Sequence, residues 1–132
     1  MPFYYDGECA KHLKELGFER VIHTNEDFFE KIKDKQFMRT VDVIWDNPPY
    51  TSQETKQKLL EGLKSTGKPF CMLLPLPVVH AQFVRDILDM TKVQCIIPRK
   101  VRVCKTNKDP VPFKYLVWLC YKCNLNKDLY FI

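Results

Sequence analysis

The order of apolar and polar residues predicts short strands alternating with amphipathic helices, which indicates an α/β fold. Apolar runs that favour strands occupy 18–23, 41–46, 70–75, 93–97, 100–104 and 114–121. Apolar residues at helical spacing predict helices over 7–16, 25–35 and 79–90, and a further one from a capping box at 51–54 to 64–67. The last two strands lie too close together for a crossing helix, so we expect an antiparallel hairpin.

Length and composition favour a single globular domain spanning 1–132. The chain has 132 residues, of which 45% are hydrophobic, so a core is expected and disorder is not. No apolar run approaches 18 residues and no signal-peptide pattern opens the chain, so we expect no membrane association. An intracellular location follows as a prediction, in which nucleus and cytoplasm are not distinguished.

The cysteines and histidines predict no metal site. Most of the six cysteines lie in apolar runs, where a reduced thiol behaves as a small hydrophobic group. Cys120 and Cys123 form a lone C-x-x-C pair without a second pair or a histidine at zinc spacing. His12, His23 and His80 are interpreted as structural residues rather than catalytic ones.

The stretch 41–50 holds the strongest candidate site. Its apolar strand runs into Asn47, Pro48, Pro49 and Tyr50. The two prolines fix their backbone and offer no N–H, so the strand ends in a stiff polar loop with an aromatic tip. Ligands bind at strand ends in open α/β sheets. The alternative interpretation is a plain Pro-Pro turn with Tyr50 on the surface.

Asn47-Pro48-Pro49-Tyr50 after an apolar strand resembles the catalytic motif of amino-methyltransferases that use S-adenosylmethionine. This family includes the N6-adenine methyltransferases and the glutamine-amide methyltransferases. The resemblance implies that the Asn47 side-chain oxygen and the Pro48 carbonyl accept the hydrogens of a target amino group. It also implies that Tyr50 stacks on the target base.

Two further segments are similar to the cofactor motifs of the same family. Phe3, Asp6 and Gly7 match part of its Asp-Pro-Phe and glycine-turn motif, and Asp27-Phe28 occupy the place of an acidic residue followed by Phe. The resemblance implies that these five residues bind S-adenosylmethionine. The alternatives are that Asp6 caps the first helix and that Asp27-Phe28 form a helix N-terminus with a core phenylalanine.

The resemblance implies a Rossmann-like class I methyltransferase fold. Its sheet would be mostly parallel, end in an antiparallel hairpin and lack its first strand, because the chain begins at the turn that normally follows that strand. A strand edge left open in this way could pair with that of a second copy, so we expect a homodimer.

Positive charge predicts an anionic partner. The net charge is +5, and Arg99, Lys100, Arg102 and Lys105 lie around the predicted hairpin. These residues either contact the phosphates of DNA or RNA or protect an edge strand by charge. The leading function hypothesis is therefore methylation of adenine in nucleic acid. The alternatives are amide methylation of a protein glutamine and a non-catalytic scaffold that keeps the fold.

Overall fold

The computed structural model describes residues 1–5, 7–49, 52–99 and 115–132. The helices are α1 (Cys9–Glu15), α2 (Phe28–Lys31), α3 (Lys35–Arg39), α4 (Gln53–Ser65) and α5 (Gln82–Ile87). The strands are β1 (Ile44–Asp46), β2 (Phe70–Pro75), β3 (Val93–Ile97), β4 (Leu116–Tyr121) and β5 (Leu129–Phe131). Short 3-10 helices at Leu76–His80 and Met90–Lys92 flank α5.

The strands form a mixed sheet in the order β1-β2-β4-β3-β5. β1 is parallel to β2 and β3 is parallel to β5, whereas β4 is antiparallel to both β2 and β3. The α/β class is thus confirmed. In the described sheet four of the five strands run in one direction, and only β4, which lies between β2 and β3, is reversed.

The core lies between one face of this sheet and the helices. Helix α4 buries Leu59, Leu60 and Leu63, and α5 buries Phe83 and Val84. From the sheet, alternate residues complete the core, among them Phe70, Met72, Leu74, Val117, Leu119 and Tyr121. Each fully buried leucine contributes roughly 1.5–3 kcal/mol relative to an exposed one. The core therefore fixes the sheet that carries the loop at 47–49.

Two helix ends agree closely with the sequence. Gly17 follows α1 with φ +96°, and its N–H donates to the Lys14 carbonyl while the Phe18 N–H donates to the Leu13 carbonyl. This is a Schellman motif, in which glycine tolerates the left-handed backbone. Helix α4 begins at Ser52, whose Oγ accepts the Thr55 N–H at 3.1 Å. The cap therefore spans 52–55, one residue later than the predicted capping box.

The predicted helices 25–35 and 79–90 are both interrupted. Asp27 and Asp34 each accept a backbone N–H three residues on, at 3.0 Å, and so start two separate helices, α2 and α3. The backbone is extended at Ala81 and Leu88, which leaves only α5 as α-helix between them. Capping by short acidic side chains outweighs a continuous apolar pattern in the first case.

Three strand predictions need correction. Segment 18–23 forms no strand, because none of the described strands pairs with it; it lines a cavity together with residues of β1. The strand at 41–46 shortens to β1, and β5 was not predicted from the sequence. β4 pairs in antiparallel fashion with β3, whereas the predicted hairpin of 114–121 with 100–104 stays a prediction. The predicted strand 100–104 lies outside the described residues.

Among the helices in the described segments, none has the length and apolar character needed to cross a bilayer.

Candidate functional site

Asp46 joins the N-terminal segment to the loop at the end of β1. Its side chain is 1% exposed. One carboxylate oxygen accepts the Phe3 N–H at 2.6 Å, and the other accepts the Asn47 N–H at 2.7 Å. Phe3 lies 43 positions before Asp46 in the sequence, whereas Asn47 is the next residue. The carboxylate therefore brings two separate motifs together.

Further polar contacts fix residues 1–5 in this position. The Tyr5 hydroxyl donates to the Asn47 carbonyl, and Nε2 of His23 lies 3.1 Å from the Phe3 carbonyl. The ring of Tyr4 lies with its centroid 5.0 Å from that of His23. The N-terminal segment is thus held at the carboxyl end of β1, beside the Asn-Pro-Pro loop.

Burial changes the acidity of two groups at this junction. Desolvation raises the pKa of the Asp46 carboxyl, although hydrogen bonds from the Phe3 and Asn47 N–H groups and the charges of the N-terminus and His23 oppose the change. Burial, with a smaller effect of the Asp46 charge, raises the pKa of Tyr5 to about 12. Tyr5 therefore remains a hydroxyl donor at neutral pH.

The three described residues of the loop differ in solvent exposure. Pro48 is fully buried, Asn47 is half-buried and Pro49 is exposed. Because Pro48 is buried, it holds the backbone of the preceding residue, Asn47, in place at the end of the sheet. Tyr50, predicted to stack on the target base, lies outside the described residues.

The predicted cofactor residues fall into two groups. Phe3 lies beside Phe28, with ring centroids 5.9 Å apart. Gly7 has φ +82°, and a Cβ there would lie 2.7 Å from the Tyr4 hydroxyl oxygen, so only glycine fits this turn. Phe28, however, is 6% exposed and belongs to the core, and one carboxylate oxygen of Asp27 caps α2. Asp6 lies outside the described residues.

One buried polar atom suits a polar ligand at this junction. In the described part of the chain, Nδ1 of His23 is buried and has no hydrogen-bond partner. A buried nitrogen without a partner loses its hydration without compensation, which a bound polar group would restore. The N-terminal segment, His23 and Asp27 are therefore compatible with the polar parts of S-adenosylmethionine.

A cavity of about 170 Å³ lies next to this junction. Its lining includes residues of the segments 18–24 and 41–45 together with Phe28. Asn47 and Pro48 are not among its lining residues, so the cavity adjoins the motif loop without containing it. Its apolar lining includes Leu13, Phe18, Val21, Ile22, Ile32, Phe37, Val43, Ile44 and Trp45.

Of the basic residues predicted at the hairpin, only Arg99 can be placed. Arg99 is exposed to solvent, and its backbone N–H donates to the Ile132 carbonyl at 2.7 Å. Lys100, Arg102 and Lys105 lie outside the described residues. Within the described ranges, no group of three or more His, Cys, Asp or Glu residues could hold a metal ion.

Sequence reasoning assigned no role to Tyr5 or Asp46, and it treated His23 as a structural residue. A usable signal existed for Asp46 alone. It lies two residues after Ile44 in a strand, and therefore on the same core-facing side. A carboxylate on that side requires hydrogen-bond donors, which here come from Phe3 and Asn47.

No family model, curated protein or solved structure matches this chain.

Proposed function

We propose that this chain transfers a methyl group from S-adenosylmethionine to an exocyclic amino group, with adenine in nucleic acid as the substrate. One observation carries the proposal: the Asp46 carboxylate binds the N–H groups of both Phe3 and Asn47. The segment that resembles a cofactor motif therefore lies against the segment that resembles a catalytic motif, as a methyl transfer between the two ligands requires.

The proposed role of the loop is to orient the target amine. An aromatic amino group is a weak nucleophile because its lone pair is delocalised into the ring. The Asn47 side-chain oxygen and the Pro48 carbonyl each accept one of its hydrogens, which favours a pyramidal nitrogen. Tyr50 stacks on the base. No general base is needed, since the methylated ammonium loses its proton readily to water.

The cofactor, when bound, supplies an electrophilic methyl group on a sulfonium ion. Phe3, Asp6 and Gly7 would hold its methionine end, and Asp27 and His23 would hold its adenosine end. The turn at Gly7 brings the backbone close to Tyr4, and the free Nδ1 of His23 offers a hydrogen-bonding group nearby. These are the features of the described chain that support cofactor binding.

The arrangement of the sheet supports the finer fold proposal of a Rossmann-like class I methyltransferase. The strand that carries the motif, β1, is parallel to β2, and the later strands β3 and β4 pair in antiparallel fashion. β1 lies at one edge of the sheet, where the family's first strand would be its neighbour. The proposal therefore includes a sheet reduced on that side.

The net charge of +5 supports nucleic acid as the substrate. An adenine in a duplex would have to leave the base stack to reach the Asn47 loop, so single-stranded substrate is expected to react faster. Amide methylation of glutamine uses the same two acceptors on an amide nitrogen. It is the alternative that the substrate experiment below distinguishes.

The first experiment measures S-adenosylmethionine binding by calorimetric titration with three variants. Asp27→Asn keeps an N-cap acceptor for α2 but removes the charge, and we expect a loss of affinity of about tenfold. Asp34→Asn makes the same change at the cap of α3 and is the matched control, with unchanged affinity. His23→Phe, which removes the free Nδ1, should also weaken binding.

The second experiment follows transfer of a labelled methyl group to an adenine-containing single strand, the same strand without adenine, and a glutamine peptide. Asn47→Ala should reduce the rate by roughly a hundredfold or more, since one of two amine acceptors is lost. Asn126→Ala, an exposed asparagine elsewhere, is the control.

Transfer to the peptide alone would replace adenine by glutamine as the target. Absence of cofactor binding by the folded wild-type chain would overturn the enzyme proposal in favour of the scaffold.

A further inference from the structure

A row of four side chains crosses the sheet on the face opposite the helical core. In register, Trp45 of β1 lies beside Cys71 of β2, Cys71 beside Cys120 of β4, and Cys120 beside Gln94 of β3. Their neighbours along the strands, such as Met72 and Leu119, point into the core instead. Cys71 and Cys120 are therefore directly opposed on two antiparallel strands at the centre of the sheet.

The geometry of this pair suits a covalent bond. The two Sγ atoms lie 3.2 Å apart, and the residues are 9% and 1% exposed. Directly opposed residues of antiparallel strands have Cα atoms about 4.5–5.5 Å apart, within the range of about 4.4–6.8 Å that disulfides span. Shortening the Sγ–Sγ distance by roughly 1 Å needs side-chain rotation and no strand movement.

A third thiol lies at the end of β4. Cys123 is half-buried and is hydrogen-bonded to Cys120. Its Sγ also lies 3.4 Å from the Phe70 carbonyl oxygen, in the strand beside it. Between the two cysteines, Lys122 has φ +56°, which turns the chain out of the strand direction. Cys123 is thus the least buried thiol of the cluster formed by Cys71, Cys120 and Cys123.

We propose that Cys71 and Cys120 are a modification site, in which a small-molecule disulfide such as glutathione disulfide oxidises them to a cross-strand disulfide and Cys123 is the thiol that reacts first. Cys123 reacts first because it is the least buried of the three thiols, whereas Cys71 and Cys120 are 9% and 1% exposed. The oxidation then passes to Cys120 and ends at Cys71, whose Sγ lies 3.2 Å from that of Cys120.

The exchange balances in three steps. The Cys123 thiolate attacks glutathione disulfide, forms a mixed disulfide and releases one glutathione thiolate. The Cys120 thiolate then attacks the Cys123 sulfur and releases the second glutathione. Finally the Cys71 thiolate attacks the Cys120 sulfur, which forms the Cys71–Cys120 bond and returns Cys123 as a thiolate. Two protein thiols are oxidised and one glutathione disulfide is reduced to two glutathione molecules.

The raised pKa values of the thiols make this exchange slow at neutral pH, because little thiolate is present. The hydrogen bond with Cys123 lowers the pKa of Cys120, but the hydrogen bond with Cys71 and burial outweigh it and raise that pKa to about 12. A hydrogen bond with Cys120 and burial raise the pKa of Cys123. Since the thiolate is the attacking species, the rate should increase with pH through the mildly alkaline range.

The experiment incubates the folded chain with glutathione disulfide at mildly alkaline pH, alkylates the remaining thiols and maps disulfides in a non-reduced digest by mass spectrometry. The expected product joins the peptides of Cys71 and Cys120 and has two fewer alkylated cysteines than the reduced chain, which has six. A stable mixed disulfide, a Cys120–Cys123 bond as the end product, or no loss of thiols would overturn the proposal.

Single alanine variants test the roles separately, after circular dichroism has shown that each variant is folded. Cys71→Ala should stop the reaction at a Cys120–Cys123 bond, whereas Cys123→Ala should slow formation of the cross-strand bond at least several-fold. Cys95→Ala is the control and should leave the product and rate unchanged, because Cys95 lies on β3 against the core on the other face. A Cys95→Ala effect as large as that of Cys123→Ala would contradict the assigned route. The wild-type map alone decides the bond if a variant does not fold.

Discussion

The sheet region, residues 44–49, 52–99 and 115–132, and the N-terminal region, residues 1–5 and 7–43, are stabilised in different ways. Five of the six residues of β2 and five of the six of β4 are buried, and the sheet packs against α4 and α5. In contrast, α1 buries no residue, and in the N-terminal region only Phe28 and Met38 belong to the buried core. The two proposed halves of the site therefore differ in packing.

Hydrogen bonds to the β1 loop, together with partial packing of Phe3 against the core, link the tip of the N-terminal region to the sheet. Phe3 and Tyr5 reach the β1 loop through the Asp46 carboxylate and the Asn47 carbonyl. Regions with few buried apolar contacts open locally at a lower free energy than the core. The Asn-Pro-Pro loop is therefore supported by the packed sheet, whereas the proposed cofactor segment depends on a small number of hydrogen bonds and the partial packing of Phe3.

The largest expected effect on stability comes from a pair of leucine variants, one in each region. Leu119, in the central strand, is 0% exposed, whereas Leu16, after α1, is 76% exposed. We expect Leu119→Ala to lower the free energy of unfolding by about 2–5 kcal/mol. The matched Leu16→Ala should change it by less than about 0.5 kcal/mol. Urea denaturation of both variants measures this, and similar losses would show that the regions are equally packed.

Asp46→Asn tests the connection between the regions. The amide retains one acceptor and replaces the other by a donor that faces a backbone N–H, so we expect a loss of about 1–3 kcal/mol. Hydrogen exchange should become faster at Phe3 and Tyr5 while the exchange of β2 and β4 amides remains slow. Asp42→Asn, an exposed carboxyl in the same segment, is the control.

The same variant has a pH signature. Burial raises the pKa of Asp46 in the folded state, so the folded state holds the proton more tightly than the unfolded state. The stabilising contribution of this proton is present below the unfolded pKa of about 3.9 and is lost as pH rises through the folded value. The acid limb of the wild-type stability curve should therefore differ from that of Asp46→Asn in this window, and coincident curves would contradict the assignment.

The contrast also explains what the sequence could predict. Runs of apolar residues determine β2 and β4 because burial on both faces needs no information beyond the run itself. The predicted strand at 18–23 contains only three apolar residues, Phe18, Val21 and Ile22, and a strand forms only with a partner, which none of the described strands provides. Local pattern is sufficient in the sheet region and insufficient in the N-terminal region.

The candidate site divides in the same way. Asn47 and Pro48 could be found because the motif is continuous in sequence. The roles of Asp46 and Tyr5 could not, because their partners lie 43 and 42 positions away. Gln94 shows the same limit, since its buried amide bonds the backbone of Leu125 and the segment after it, 31 or more positions on. Buried polar residues are placed by distant donors and acceptors rather than by local pattern.

Replacing two glycines, one in each region, should have a smaller effect on the free energy of unfolding. Gly17 ends α1 with φ +96° and Gly67 ends α4 with φ +69°, and a Cβ at either position would meet nothing within 4 Å. Alanine at either position therefore destabilises the protein only because it disfavours a positive φ, by about 1 kcal/mol. We expect Gly67→Ala to lower the free energy of global unfolding by this amount. Gly17→Ala should instead accelerate hydrogen exchange in α1 with little global change, and an equal global loss would show that the two regions unfold as one unit.

The smallest effect concerns the Tyr5 hydroxyl. Removing its bond to the Asn47 carbonyl by Tyr5→Phe should cost about 0.5–1 kcal/mol, because the bond is solvent-exposed. Since the folded pKa of Tyr5 is raised to about 12 from its ordinary value of 10.0, the folded state retains this proton longer and its contribution is lost as pH rises through that interval. An alkaline absorbance titration should therefore lose its latest tyrosinate component in Tyr5→Phe and keep it in Tyr115→Phe, the exposed control. If the late component persists in Tyr5→Phe, the hydroxyl is not held against the Asn-Pro-Pro loop.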